Sequence, residues 1–258
     1  KKEFLDAIVD DRPFYILSET RHEGLLNSKA LEAEGITAET PDPELGEILK
    51  DPESGEPTGF LREEATKPIW KHYPIPAPEK VERGLAALLA YGNSVGLTSV
   101  MQVHAKPDVA NGVKGLEDKG ELTMRFGLCW TMSDPQEPKP VEWREKNVAE
   151  RGKYVSDMIF VDCVKLSGDG NPGSTAAVLE PYTDGASGVF YYQDDDLVDT
   201  VRKWDDMGMT IVIHAIGDAT IRQFIDAVAQ VKEDKGKLDG RHIVSHGLLF
   251  HPDDMARA

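Results

Sequence analysis

The chain of 258 residues contains 46 aspartates and glutamates against 29 lysines and arginines, a formal charge of −17. This balance argues against a nucleic-acid backbone or an anionic membrane surface as the main partner. The 40% hydrophobic content is enough to fill a core, and no stretch approaches the ~18 apolar residues of a membrane span. The first residues, KKEFLDAIVDD, lack the apolar segment of a signal peptide and begin without methionine. We therefore expect a cytoplasmic protein whose sequence starts inside a longer chain.

Residues 1–75 consist of short strand and helix candidates and a stretch rich in turn-forming residues. This pattern predicts a small inserted α+β subdomain. FYILSE at 14–19 is typical of a strand, and NSKALEAEG predicts a helix capped by Asn27. The Pro- and Gly-rich stretch at 40–61, TPDPELGEILKDPESGEPTGFL, predicts turns and a small hairpin.

From residue 76 to 258 the pattern changes to one strand followed by one helix. We predict strands at 97–104, 122–130, 158–165, 210–214 and 241–246, with a helix before the first and a helix after each one. TIVIH at 210–214 illustrates the type, since a continuous β-branched run is typical of a strand that is buried on both faces. Five such units predict a parallel α/β sheet or barrel.

The two cysteines, Cys129 and Cys163, each lie inside an apolar run. We interpret them as buried thiols of a protein in a reducing compartment and not as a disulfide framework. Two cysteines cannot form a zinc knuckle.

The predicted strands end in polar or aromatic side chains: His104, Trp130, Lys165, His214 and His246. In a barrel, the loops that follow these ends form one rim, so their side chains converge. A single histidine at a strand end is more often a polar group bonded to a nearby carbonyl. Three at equivalent positions favour a shared metal site or an acid–base cluster, because neutral imidazole is a zinc ligand.

Lys165 has two interpretations. It could form a salt bridge with Asp169, four residues further on in KLSGDG. Alternatively, CO₂ could carboxylate the amine, giving a carbamate whose two oxygens bridge a pair of metal ions that share one hydroxide.

Several motifs resemble the amidohydrolase superfamily, and specifically its amidohydrolase-3 branch, the group of YtcJ-like proteins and N-substituted formamide deformylase. The motifs are, in chain order, RPFYILSETRHEGLLNSKALEAEGIT, SGEPTGFLREEA, NSVGLTSVMQ, VKLSGDG, LEPYTDG, IHAIGDATI and SHGLLFHPDD. The resemblance covers nearly the whole chain in the expected order.

The resemblance implies a TIM-like (β/α)₈ barrel, incomplete here, of which residues 76–258 supply strands two to six. It implies that carboxylated Lys165, His214 and His246 are catalytic metal ligands for one or two divalent ions, with zinc as the first choice. A metal-activated hydroxide would then hydrolyse a C–N bond of an amide, formamide or cyclic amide in a small-molecule substrate.

Two elements of the family pattern do not occur in this sequence: a His-x-His motif on strand one and an aspartate after strand eight. We therefore expect this chain to be the central portion of the enzyme and not to turn over substrate by itself. A barrel without three of its strands would expose sheet edges, which favours self-association, for example as a homo-oligomer.

Three further residues are substrate-binding candidates. His22 matches a histidine of the same branch and would line the substrate entrance, unless it is simply a surface histidine. Tyr182 and Asp184 lie in the loop 166–192, which is long enough to act as a lid. We expect His104 near the metals, and we treat His72, His242 and His251 as incidental.

Asp218 and Gly217 follow His214 closely. The simpler interpretation is that Asp218 interacts with the dipole at a helix start and that Gly217 permits the strand-to-helix turn.

The alternative to an enzyme is a barrel of the same superfamily that binds metal, or serves as a scaffold, without chemistry. A nucleotide-binding sheet is disfavoured because no predicted strand is followed by GxGxxG.

Overall fold

A computed structural model describes residues 1–133, 139–173 and 175–258. These residues form two compact units, residues 1–74 and the described residues from Ile75 to Ala258. Within the described ranges, no helix is long and apolar enough to cross a membrane.

The first unit is a four-stranded antiparallel sheet with three helices. Its elements are, in chain order, α1 (Lys2–Asp6), β1 (Tyr15–Leu17), β2 (Glu23–Leu26), α2 (Ser28–Glu34), β3 (Gly46–Lys50), β4 (Pro57–Glu63) and α3 (Lys67–His72). The strand order is β1-β2-β4-β3. The predicted cap of α2 is confirmed, because the Asn27 side chain accepts a hydrogen bond from the Ala30 N–H. Leu26, Leu31 and Leu61 form the centre of a separate small core.

The second unit alternates helices with five parallel strands. Its elements are α4 (Pro78–Ser94), β5 (Ser99–Ala105), α5 (Pro107–Asp118), β6 (Arg125–Thr131), α6 (Val141–Ala149), β7 (Ile159–Ser167), α7 (Asp194–Asp206), β8 (Thr210–Ala215), α8 (Asp218–Lys235), β9 (Ile243–His246) and α9 (Pro252–Met255). The strands are neighbours in chain order, β5-β6-β7-β8-β9. The five predicted strands are thus confirmed, and they form a curled parallel sheet that is consistent with part of a TIM-like barrel.

The two faces of this sheet differ in chemistry. One face belongs to the large core together with the helices, and it includes Leu128, Ile211 and Ile213. The opposite face, here called the inner face, carries a small apolar cluster of Cys129, Cys163 and Val212. Because side chains alternate along a strand, residues two positions beyond these cluster members also lie on the inner face.

A bulge in β7 sets which of its residues reach the inner face. Gly127 pairs with Phe160 and Cys129 with Cys163, so β7 uses three residues where β6 uses two. The extra residue reverses the alternation from that point on. Cys163 and Lys165 consequently lie on the inner face, whereas Val164 and Leu166 join the large core.

The cysteines correct one prediction. Cys129 and Cys163 are in-register neighbours on β6 and β7, with a Cα–Cα distance of 4.5 Å, and they form a disulfide. The prediction of two thiols considered each apolar run alone, whereas the pairing depends on the register between the strands. Cα atoms this close on one face are within the range that a disulfide spans. The cysteines therefore no longer argue for a reducing compartment.

A buried ionic cluster lies where α7 ends and β8 begins. The Asp205 carboxylate is fully buried and accepts hydrogen bonds from Lys235 and from the Gly240 N–H. His242 places Nε2 3.2 Å from Asp205 Oδ1, and its Nδ1 accepts the Ile211 N–H. In a barrel, the amino ends of the strands serve stability rather than catalysis, so we assign this cluster a structural role.

Candidate metal centre

His214 and His246 come together at the carboxyl ends of two neighbouring strands. His214 follows Val212 by two residues and so lies on the inner face, whereas His246 pairs in register with Ala215, which faces the large core. The backbone of His246 breaks the alternation, because its φ is +74°. Its ring lies edge-on against the His214 ring, with centroids 4.6 Å apart.

The loop after β9 is held against the end of β8 by two backbone hydrogen bonds. The Gly247 N–H donates to the Ala215 carbonyl and the Leu249 N–H to the Ile216 carbonyl, each at 3.1 Å. These bonds hold the backbone that directly follows His246. A left-handed residue held in this way is typical of functional sites, where surrounding structure maintains local strain.

The surroundings of His214 determine which of its nitrogens carries the proton. Nε2 lies 3.2 Å from the Gly170 carbonyl oxygen and 3.5 Å from Asp169 Oδ1. Both neighbours are hydrogen-bond acceptors, which favours the neutral tautomer that carries its N–H at Nε2. A metal-binding histidine typically donates its second ring N–H to a carboxylate or a backbone carbonyl in this manner.

Lys165 is buried on the inner face of the neighbouring strand. It lies two residues before the end of β7 and pairs in register with Val212, so it is one inner-face position away from His214. Its side chain is 1% exposed, and Nζ donates to the Leu166 carbonyl at 2.9 Å. A charged ammonium is costly in such a place, and a carboxylated amine with ligands for its oxygens is an alternative state of the same side chain.

Asp169 is fully buried, and its carboxylate accepts hydrogen bonds from the backbone N–H groups of Ile216, Gly217 and Ala177, at 3.0, 2.8 and 3.2 Å. Burial raises the pKa of Asp169 to about 6, and the hydrogen bonds from Ile216 and Gly217 oppose that rise. The sequence interpretation considered Asp169 only as a partner for Lys165. The structure shows it beside His214 instead.

The loop after β7 is anchored to the start of α8. The Ala219 N–H donates to the Ala177 carbonyl, and the Leu179 N–H donates to Asp218 Oδ1 at 2.9 Å. Asp218 was predicted only as an acid at a helix start, so its bond to this loop is an additional role. In this conformation residues 177 and 179 are bonded to the start of α8, and the role of the loop as a lid stays a prediction.

Tyr182 and Asp184 lie in the same loop, further along the chain. The Tyr182 hydroxyl donates to the Ala176 carbonyl at 2.8 Å, and exposed Asp184 accepts the Ala186 N–H at 3.0 Å. Both side chains thus support the loop's own turn. Their predicted contact with substrate stays a prediction.

His22 belongs to the first unit, where its Nδ1 lies 2.7 Å from Glu63 Oε2. Glu63 is 2% exposed and has a φ of +49°, and its N–H donates to the His22 carbonyl. The two residues are therefore joined by both side chain and backbone. The role of His22 at a substrate entrance stays a prediction.

The histidines treated as incidental have structural partners. His72 contacts Glu34 at 2.6 Å, His242 belongs to the Asp205 cluster, and the His251 side chain caps α9 by accepting the Asp253 N–H. His104 is an exposed residue next to the end of β5.

The candidate ligands His214, His246 and Lys165 can be compared with the ligands that a zinc ion requires. In the part of the chain that the structure describes, no group of three or more His, Cys, Asp or Glu side chains could hold a metal ion. Two adjacent imidazoles make up part of a zinc site, and a third ligand is needed. Lys165 supplies an oxygen ligand from the adjacent inner-face position only if it is carboxylated. With that modification, the three side chains would match the ligand types of a zinc site.

The comparisons with known proteins agree with the fold. A crystal structure of an uncharacterized metal-dependent hydrolase from Pyrococcus furiosus superposes with a TM-score of 0.63 and 22% identity, covering 99% of this chain and 50% of that one. The chain thus shares its fold with about half of that protein. A sequence profile of the amidohydrolase family matches residues 1–258, and the chain belongs to this family.

Two relatives indicate the branch of the family to which the chain is similar. YtcJ of Bacillus subtilis (strain 168) is 32% identical over 243 residues, which cover 92% of this chain and 44% of YtcJ. N-substituted formamide deformylase of Arthrobacter pascens is 26% identical over 248 residues, which cover 88% of this chain and 43% of that enzyme. The predicted amidohydrolase-3 branch is confirmed. The chain spans about half the length of the curated relatives it matches.

Proposed function

We propose that this chain contributes the metal-binding part of a hydrolase that cleaves a C–N bond in a small amide, formamide or cyclic amide. The observation that carries the proposal is the imidazole pair of His214 and His246 at the ends of adjacent strands, beside the buried Lys165. Membership of the amidohydrolase family supports the reaction class. The relative named N-substituted formamide deformylase supports a formamide-like substrate.

In this proposal His214, His246 and carboxylated Lys165 hold one or two divalent ions, with zinc as the first choice. The carboxylation joins the neutral Nζ of Lys165 to the carbon of CO₂ and releases one proton. When bound, such a metal lowers the pKa of a water molecule and polarises a carbonyl oxygen.

The chain's own residues orient the site. The Gly170 carbonyl lies 3.2 Å and Asp169 Oδ1 3.5 Å from Nε2 of His214, which leaves Nδ1 as the proposed metal-binding nitrogen. The apolar inner-face cluster around Val212 limits water at the base of the site and so strengthens electrostatic interactions there. His22, Tyr182 and Asp184 are the proposed substrate contacts.

The first experiment detects the carbamate directly. Protein expressed from the complete reading frame is incubated with ¹³C-bicarbonate and zinc, and its ¹³C spectrum is compared with that of Lys165→Met, which keeps a buried side chain of similar length. Lys232→Met, at an exposed position of α8, is the matched control. A carbamate signal in the wild type and in Lys232→Met, but not in Lys165→Met, supports the proposal.

The second experiment tests the reaction. The same proteins are assayed for amine release from N-substituted formamides, linear amides and cyclic amides. Hydrolysis that depends on added metal and is lost in Lys165→Met is the expected result. A protein that binds zinc but hydrolyses none of the three classes would favour the non-catalytic metal-binding barrel.

A further inference from the structure

Asp169 occupies a position where three segments of the second unit meet. Its Oδ2 accepts the N–H groups of Gly217 and Ala177, and its Oδ1 accepts the Ile216 N–H. One carboxylate therefore connects the loop after β7 to the turn that directly follows His214. Backbone bonds to a buried carboxylate are charge-assisted and stronger than neutral ones.

The backbone segments at this junction are closely packed. A Cβ at Gly217 would overlap with the Ala177 carbonyl oxygen, and a Cβ at Gly188 would overlap with the Ala176 carbonyl oxygen. The loop thus packs directly against the turn, with Asp169 on the inside of the contact. Asp169 thus bonds to the backbone two and three residues after His214.

The same carboxylate borders the ring of His214. Oδ1 lies 3.5 Å from Nε2, on the side where the Gly170 carbonyl also accepts at 3.2 Å. We propose that Asp169 is a positioning residue that holds His214 in the Nε2–H tautomer and so directs the Nδ1 lone pair toward the inner face. The consequence for metal binding rests on the function proposed above.

The amide of asparagine cannot replace this carboxylate. Both oxygens of Asp169 accept backbone N–H groups, so an NH₂ group at either position meets a donor. At the Oδ1 position it would also face Nε2–H of His214. Because the Gly170 carbonyl remains as an acceptor at Nε2, Asp169→Asn is expected to give a mixture of tautomers, and the form with its proton on Nδ1 has no lone pair on that nitrogen.

The test reads the tautomer of His214 without metal. The ¹⁵N chemical shifts of the imidazole nitrogens are measured on metal-free, ¹⁵N-histidine-labelled protein at about pH 8, well above the pKa of about 6 of Asp169. His214→Gln identifies the signals, since the chain has seven histidines. We expect the Nε2–H form in the wild type and the loss of this form as the sole species in Asp169→Asn.

Asp218→Asn is the matched control, because Asp218 anchors the same loop through Leu179. It should leave the tautomer of His214 unchanged, which separates ring positioning from loop anchoring. A wild-type ring protonated on Nδ1, or an unchanged tautomer in a folded Asp169→Asn protein, would overturn the proposal. A wild-type ring protonated on Nδ1 would overturn the proposal even if Asp169→Asn does not fold.

Zinc affinity supplies the link to the proposed function. Loss of such a partner is expected to raise the Kd for zinc about 10- to 100-fold in Asp169→Asn and to leave it unchanged in Asp218→Asn. If the tautomer depends on Asp169 but no variant or wild type binds zinc, the proposed function fails and the positioning role stands. If the wild type binds zinc and Asp169→Asn binds it equally well with the same tautomer, only the positioning role fails.

Discussion

The imidazole rings of His214 and His246 lie edge to face with their centroids 4.6 Å apart, although the strand register pairs His246 with Ala215. The positive φ of His246 brings the two rings together. The proposed metal centre therefore depends on one backbone conformation at the end of β9.

This dependence predicts that, at position 246, a glycine variant is more stable than an alanine variant. A left-handed conformation costs a residue with a Cβ about 1–2 kcal/mol and costs glycine little. The free energy of unfolding should therefore be about 1 kcal/mol larger for His246→Gly than for His246→Ala, as measured by urea titration. At Ser245, which lies within β9, the order should be reversed, and the same order at both positions would contradict the account.

A second prediction concerns the disulfide. Thiol titration of the denatured chain should detect no reactive cysteine before reduction and two after it, because Cys129 and Cys163 are bonded. Reduction should lower the free energy of unfolding by about 3–4 kcal/mol, since the bond joins residues 34 positions apart. Two reactive thiols in protein prepared without reductant would restore the interpretation drawn from the sequence.

The third prediction concerns Gly217. Gly217→Ala forces a Cβ against the Ala177 carbonyl oxygen and should cost about 1–3 kcal/mol. Gly152→Ala is the control, because a Cβ at that position meets open space. Thermal unfolding of both variants compares the two costs, and an equal effect would show that the loop can move away from the turn.

The fourth prediction is that His242 and Asp205 each lose a stabilising contribution on acidification, the histidine at the higher pH. Burial lowers the pKa of His242 below its usual 6.5. Below that pH the unfolded chain binds a proton that the native ring resists, so stability starts to fall. Although burial alone would raise the pKa of Asp205, hydrogen bonds from Lys235 and the backbone hold it below 3.8, and its contribution is lost as the pH falls further.

Urea unfolding between about pH 8 and about pH 3 measures both contributions. His242→Gln removes the titrating ring and should abolish the contribution at the higher pH while leaving the lower one. His72→Gln, at a half-exposed histidine, should leave both contributions in place. Asp169, whose pKa burial raises to about 6, binds a proton in the same range and contributes the opposite slope, so the His242 contribution is the difference between the wild-type and His242→Gln profiles. Identical profiles for the two proteins above the range of the carboxylates would contradict the assignment to His242.

The five strands and their alternation with helices were predictable because each strand is a short apolar run followed by a helix with its own periodicity. TIVIH and its neighbours contain enough local information to identify them as buried strands. The candidate ligands were predictable for the same reason, since strand ends of a parallel sheet share one edge.

What could not be predicted depends on register and on loop contacts. The disulfide and the inner-face position of Lys165 both follow from one extra residue in β7, for which the local sequence has no distinctive signal. Asp169 was visible as an acid four residues after Lys165, but its contact with His214 requires the loop to return to β8. Such long-range backbone contacts leave no periodic pattern in the sequence.

The most direct test of the central claim is the metal content of the purified protein, measured by plasma mass spectrometry after reconstitution with zinc and bicarbonate. The account predicts about one to two equivalents of zinc in the wild type and in Lys232→Met, with a sharp fall in Lys165→Met. An absence of bound metal in the wild type, or an equal content in Lys165→Met, would contradict a metal centre built on Lys165, His214 and His246.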